Sequence, residues 1–206
     1  MLPRLSRSVL LLAAAGAALA PTAKRAHPVP APAARLAHAD GPPPGHTGGF
    51  GEPTCRVCHD GEPLNAPEGA LTADGLPETY EPGRAYLLTV VLRHPSLRRA
   101  GFQLAARVAG GEYRGLQAGT LRPAGPGITV VWEERRGVAY AQHADPVGRE
   151  TGEARWLVRW EAPASALGPV VVHLAANAAN DDNSPFGDLI YTAAAQSAPP
   201  VRGGRP

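Results

Sequence analysis

Tyr86-Leu87-Leu88-Thr89-Val90-Val91-Leu92-Arg93 reads as a β-strand. Tyr86, Leu88, Val90 and Leu92 fall on one side of a period of two, with Leu87, Thr89, Val91 and Arg93 on the other. Downstream, Phe102, Leu104, Ala106 and Val108 alternate in the same way with Gln103, Ala105 and Arg107. Further runs from Ile128 to Glu133, Val138 to His143, Arg155 to Trp160, Val170 to Ala175 and Asp188 to Thr192 are separated by Gly and Pro turns. Seven or so short strands at this spacing predict an all-β chain, an antiparallel β-sandwich of about 115 residues. Trp156, Val158 and Trp160 share one face of their strand and are expected in its core. No helical period is sustained after the first twenty residues, which excludes the helical cytochrome architecture.

Ahead of the strands lies Cys55-Arg56-Val57-Cys58-His59, which contains the only two cysteines of the chain. This C-x-x-C-H spacing is that of c-type haem attachment. Two thiols three positions apart can each add to one vinyl group of a porphyrin, and the adjacent imidazole is then a proximal iron ligand. On this reading Cys55 and Cys58 carry one covalent haem c and His59 binds its iron. Two other readings stay open. A redox disulfide would want a thioredoxin-like βαβ setting, which the strand pattern does not provide. A tetrahedral zinc site would need about four ligands, with the others drawn from distant histidines. The segment from Asp60 to Pro82 is rich in Gly and Pro and is expected as turns.

The flanks suggest export. Arg4 and Arg7 precede an apolar run from Val9 to Ala20, which has the form of a secretory signal and is short for the roughly twenty residues of a membrane span. No span is then expected once the signal is removed. From Pro21 to His46 the chain is mostly Pro and Ala, a composition suited to a semi-stiff tether, in which His27, His38 and His46 are expected to be solvated. With 206 residues, 24 Gly and 23 Pro, one domain plus extended segments is the natural organisation. A formal net charge of +2 with dispersed basic residues gives no nucleic-acid footprint. The expected layout is a signal over 1–20, a linker over 21–46, an irregular haem-attachment segment over 47–82, a sandwich over 83–193 and a disordered tail over 194–206.

Several stretches resemble one known sandwich. Gly101-Phe102-Gln103-Leu104, the run from Trp156 to Trp160 with Glu161-Ala162-Pro163 after it, Gly168-Pro169-Val170-Val171-Val172 and Gly187-Asp188-Leu189-Ile190-Tyr191 are similar to the immunoglobulin-like, reeler-type β-sandwich. The nearest likeness is to its secreted bacterial form, the choice-of-anchor domain. In that form a Thr-Cys-x-x-Cys-His segment precedes the sandwich, and Gly51-Glu52-Pro53-Thr54-Cys55 followed by Cys58-His59 resembles it. The likeness extends over about residues 47 to 193 and implies a haem-bearing, exported protein.

A haem raises the matter of the sixth iron ligand. Met1 is the only methionine and lies in the signal, so a mature chain has no thioether to offer. The Tyr140-Ala141-Gln142-His143 segment is similar to one at this place in the haem-bearing family, which implies His143 as the distal ligand. His94 is expected at a solvated turn and His173 as a core or edge histidine. The oxygen-rich stretch from Asn177 to Ser184 lacks the order of a calcium loop and is expected as an Asn/Asp turn, with calcium as its other reading. No nucleophile elbow, informative carboxylate pair or phosphate-binding loop appears, so the chain is not expected to be an enzyme unless the iron has an open site. The expected function is one-electron transfer or haem-based sensing in the bacterial envelope with an unknown redox partner. The alternative is an extracellular adhesion or ligand-binding sandwich with a C-x-x-C disulfide and no haem.

Overall fold

The alternating runs form strands. A computed structural model describes residues 38–148 and 152–201; the expected signal and most of the expected linker lie outside the described residues. In chain order the strands are β1 (Asp60–Gly61), β2 (Ala70–Asp74), β3 (Ala85–Arg93), β4 (Arg99–Val108), β5 (Thr120–Pro123), β6 (Ile128–Glu133), β7 (Val138–His143), β8 (Val147–Gly148), β9 (Glu153–Glu161), β10 (Val170–Ala179) and β11 (Phe186–Ser197). One sheet runs in the order β1-β11-β10-β4-β7-β6, with β8 pairing to β4, and the other runs β2-β3-β9-β5. Pairing is antiparallel except for the two-residue β1, which lies parallel to β11, and an isolated parallel bridge between Thr79 and Ala198.

The period-two faces meet between the sheets. Leu88, Val90 and Leu92 from β3 and Trp156, Val158 and Trp160 from β9 pack with Phe102, Leu104 and Ala106 from β4 and Val170, Val172 and Leu174 from β10. Each of these side chains is buried. The Phe102 and Trp156 ring centroids are 4.6 Å apart; the Trp160 indole N–H donates to the Ala118 carbonyl at 2.8 Å, whereas the equally buried Trp156 indole N–H has no hydrogen-bond partner among the described residues.

Three differences from the sequence reading concern which residues join the sheets. The turn-rich segment contains β2, which pairs with β3 in register from Ala70 with Arg93 to Asp74 with Thr89; a five-residue strand with one buried position carries too little alternation to stand out. β5 escaped for the same reason, since Thr120–Pro123 has one buried side chain and ends in proline. The last strand continues to Ser197, four residues past the expected boundary, because β10 pairs with it as far as Val170 with Ser197.

The outward face of the larger sheet is also buried. Gln103, Ala105 and Arg107 lie on the side of β4 away from the core, yet each is 5% exposed or less. Chain from the expected tether covers Gln103, and Glu52 and Phe50 of the segment after it cover Arg107. Gln103 donates to the Pro43 carbonyl at 3.0 Å and accepts from the His46 N–H at 2.6 Å, and it also donates to Gln142 on β7 at 2.9 Å. Residues 38–46 are therefore laid onto the sheet rather than extended into solvent. Their backbone polar groups are met by a glutamine that periodicity alone would place on a wet surface.

Candidate functional site

The cysteine segment starts from a buried carboxylate. Glu52, three residues before Cys55, has a side chain 3% exposed and is ion-paired to Arg107 of β4. Tyr140 of β7 donates to the same carboxylate oxygen, and the Thr47 hydroxyl donates to the other at 2.6 Å. Burial raises the Tyr140 hydroxyl above its usual value, which keeps it protonated and able to donate. This cluster ties residues 47–52 to the middle of the outward face, and Phe50 caps it with the Arg107 and Arg114 guanidinium groups over its ring. A buried ion pair with its remaining lone pairs met is costly to break from one side.

Beyond Pro53 the chain makes a single 3-10 turn over Cys55–Val57, capped by the Thr54 hydroxyl, which accepts from the Arg56 N–H at 3.3 Å. The Cys58 and His59 N–H groups both donate to the Cys55 carbonyl, at 3.2 and 3.0 Å. One turn thus brings the first, fourth and fifth residues of the motif to the same side, as positions three and four apart are neighbours on a helical surface. Cys55 is half-buried, Cys58 is exposed, and both are free thiols. Burial pushes the Cys55 thiol up to about 12. That is the opposite of the depressed value a reactive dithiol requires, and an uncharged sulfur is what the site favours.

His59 is held from the far end of the chain. Its Nδ1 lies 2.6 Å from Asp188 Oδ2, a carboxylate on β11 whose side chain is 1% exposed. The register explains the meeting: Asp60 pairs with Phe186 and Gly61 with Asp188, and the Asp60 N–H donates to the Pro185 carbonyl at 2.9 Å. The Asn177 amide nitrogen of β10 donates to the same Asp188 oxygen at 3.0 Å and lies 3.0 Å from His59 Nδ1 as well, and the Asn180 N–H reaches Oδ1 at 3.3 Å. A histidine whose Nδ1–H is given to a carboxylate presents Nε2 as its free lone pair, the arrangement of metal-ligating imidazoles.

His143 lies at the end of β7 and lines the same cleft as His59. Its ring lies over Gly101, where a Cβ would come within 2.4 Å of the imidazole Cε1. Nδ1 accepts from the Phe102 N–H at 3.0 Å and lies 3.3 Å from the Phe102 carbonyl, while Nε2 is 3.0 Å from the His38 carbonyl. As arranged, Nε2 carries the proton and gives it to His38. Turning to the other tautomer, with Nδ1–H on the Phe102 carbonyl, frees Nε2. Burial lowers the His143 pKa below the ordinary histidine value, the backbone of His38 and Phe102 opposes this, and the charges of His38 and His59 reinforce it. The ring is neutral at neutral pH, as a ligand must be.

Cys55, Cys58, His59 and His143 line one cleft of about 260 Å³. Pro42, Pro43 and Pro146 line it, together with residues of the loop between β10 and β11. His38 and His46 also line it, which corrects their expected place in a solvated tether: Gln103 holds the turn that carries them. His46 Nδ1 lies 2.9 Å from the Pro43 carbonyl. Two other histidines lie elsewhere. His94, expected in solvent, is 6% exposed, with its ring against Tyr191 and its Nδ1 accepting from the Ser96 N–H at 3.1 Å. His173 sits under Phe50 on the outward face, where burial and Arg107 lower its pKa.

The oxygen-rich loop is built as turns. Asp182 N–H donates to Asn180 Oδ1 at 3.1 Å and Ser184 N–H to Asp182 Oδ1 at 2.8 Å, Asx turns of the kind expected. Asp181 pairs with Arg99 at 2.7 Å. Among the described residues no cluster of three or more His, Cys, Asp or Glu side chains is arranged to hold a metal ion by itself, and no helix is long and apolar enough to cross a membrane. The motif signals were Cys55, Cys58, His59 and His143. Glu52, Gly101 and Asp188 fall within stretches that resemble the reeler-type family and Asn177 opens the oxygen-rich stretch, but none of the four carries a motif that points to its role.

No family model matches the chain, and no curated relative matches it. Among solved structures it is similar to the reelin-N domain of F-spondin, at 23% identity and a TM-score of 0.46, with 71% of this chain and 96% of that one covered. A human F-spondin reeler domain matches at 24% identity and a TM-score of 0.44 over 65% of this chain and 93% of that one. A cohesin module from a Clostridium perfringens ATCC13124 family 33 glycoside hydrolase matches at 13% identity and a TM-score of 0.44 over 64% and 96%. The sandwich assignment rests on the strand order and the shared core described above.

Proposed function

We propose that this chain is an exported c-type haem-binding protein that serves as a one-electron carrier or haem-based sensor in the bacterial envelope. The observation that carries the reading is the convergence, in one apolar-walled cleft, of the C-x-x-C-H segment and a second histidine 84 positions beyond His59. Cys55 and Cys58 would hold the porphyrin by thioethers, each thiol adding S–H across one vinyl double bond with no atom lost. The bound haem would supply one-electron iron chemistry, with potential set by its ligands and surroundings.

The chain's own groups suit these roles. A half-buried Cys55 is more stable as an uncharged thioether than as a thiolate. Asp188 orients His59 so that Nε2 faces away from the carboxylate, and Phe102 holds His143 through Nδ1 in either tautomer. The prolines give one side of the cleft an apolar lining. For His143 to bind the iron, its Nε2 would have to give up the His38 carbonyl, which would shift residues 38–46 rather than the sheet.

The test is optical and by mass. Full-length protein made in a host with haem c maturation should gain the mass of one haem and show a Soret band with a sharp reduced α band. Cys55→Ser with Cys58→Ser should abolish both. A colourless product of unmodified mass would sink the proposal and leave a binding module. In the loaded protein, His143→Ala should convert a six-coordinate low-spin spectrum to high-spin; an unchanged spectrum would move the sixth ligand to His46 or His38.

A further inference from the structure

We propose that Asp188 is a positioning residue that makes His59 an unusually strong electron donor to a bound iron and thereby holds the reduction potential low; this rests on the haem reading above. Four features of the site support it. The His59 Nδ1 to Asp188 Oδ2 distance is 2.6 Å, as short as charge-assisted hydrogen bonds or slightly shorter. Asp188 is 1% exposed, so its charge acts through protein rather than through screening solvent. Its two oxygens are aimed separately, Oδ2 at the imidazole and at Asn177, Oδ1 at the Asn180 N–H. Pairing of β1 with β11 holds both partners in this register.

A buried carboxylate needs a reason to be there. If the segment only had to be tied down, a backbone carbonyl or a neutral amide would serve His59 Nδ1 without the desolvation cost of a charge. A carboxylate does more: as acceptor it draws the Nδ1 proton and gives the ring partial imidazolate character, which strengthens Nε2 as a donor. Its negative charge also favours the more positive, oxidised iron. Both effects lower the potential, on top of the absence of a thioether ligand.

The test uses the haem-loaded full chain and an isosteric change. Asp188→Asn keeps the shape and can still offer an oxygen to Nδ1, but removes the charge. At a fixed solution potential its reduced-to-oxidised ratio should rise at least tenfold, about 59 mV for one electron, and Asp188→Glu should return most of that. A loaded Asp188→Asn protein with a ratio within twofold of wild type would overturn the inference while leaving the haem reading intact. Wild-type protein that takes up no haem would instead sink the haem reading. If Asp188→Asn does not fold, the imidazole nitrogen NMR shifts of the unloaded full chain decide the hydrogen bond. An Nδ1-protonated His59 supports the inference, and an Nε2-protonated ring overturns it.

Discussion

Gly101 shows how a single missing atom builds a wall of the cleft. Its Cβ would lie 2.4 Å from His143 Cε1 and 2.7 Å from Nδ1, so the imidazole occupies the space that any other residue would fill. Gly101→Ala should displace His143 and cost about 1–3 kcal/mol, the range for overpacking a filled site. In a haem-loaded protein the same change should mimic the His143→Ala spectrum, which absorption and a urea melt would together check. The burial of His143 also fixes a pH dependence. Its folded pKa lies below the ordinary value of 6.5, so as pH falls through that value the unfolded chain takes up the proton first. Stability present above pH 6.5 should therefore drain away on acidification. Burial lowers His173 as well, in the same direction. The haem-free protein should melt at a lower temperature at pH 5 than at pH 7.5, and His143→Gln should narrow that difference; an unaltered difference would assign it to other groups.

At the scale of elements, the outward faces of β4 and β7 act as an anchor for chain that periodicity assigns to no structure. Arg107 and Tyr140 reach out from adjacent strands to hold Glu52, and Gln103 with Gln142 holds Pro43 and His46. Both clusters consist of polar residues buried on a side of the sheet where alternation predicts solvent. Their burial follows from the segment that lies across them. Glu52→Gln leaves Arg107 with a buried charge and a neutral partner, which should cost about 3–5 kcal/mol. The loss should be local before it is global: hydrogen exchange across residues 47–59 should accelerate more than in β9 or β10. Equal acceleration everywhere would show that the segment and the sandwich unfold as one unit. The alternation in β3, β4, β9 and β10 was legible because buried strand faces need apolar side chains at every second position. β2 and β5 were not, since a short strand at the edge of a sheet buries only one or two of them.

For the whole molecule, the core between the sheets and the cleft on the outer face are separable in energy. Trp160 is fully buried and satisfied by Ala118, so Trp160→Ala should cost about 3–5 kcal/mol and melt the protein cooperatively. Cys55→Ser with Cys58→Ser should leave the far-ultraviolet circular dichroism and the urea midpoint of the unloaded protein close to wild type. A large loss in the double variant would mean that the thiols support the sandwich itself.

Period-two alternation determined the β class, and the seven longest strands follow it closely, because side-chain direction along a strand is a local property of the backbone. The spacing of Cys55, Cys58 and His59 is local in the same sense, since one turn suffices to bring them together. Tertiary structure alone decided what those three residues face. His59 meets Asp188 across 129 positions, Arg107 meets Glu52 across 55, and His143 reaches Phe102 across 41. These meetings depend on which strands become neighbours and in what register, and both are set by how two apolar faces close over a common core rather than by any short stretch of chain.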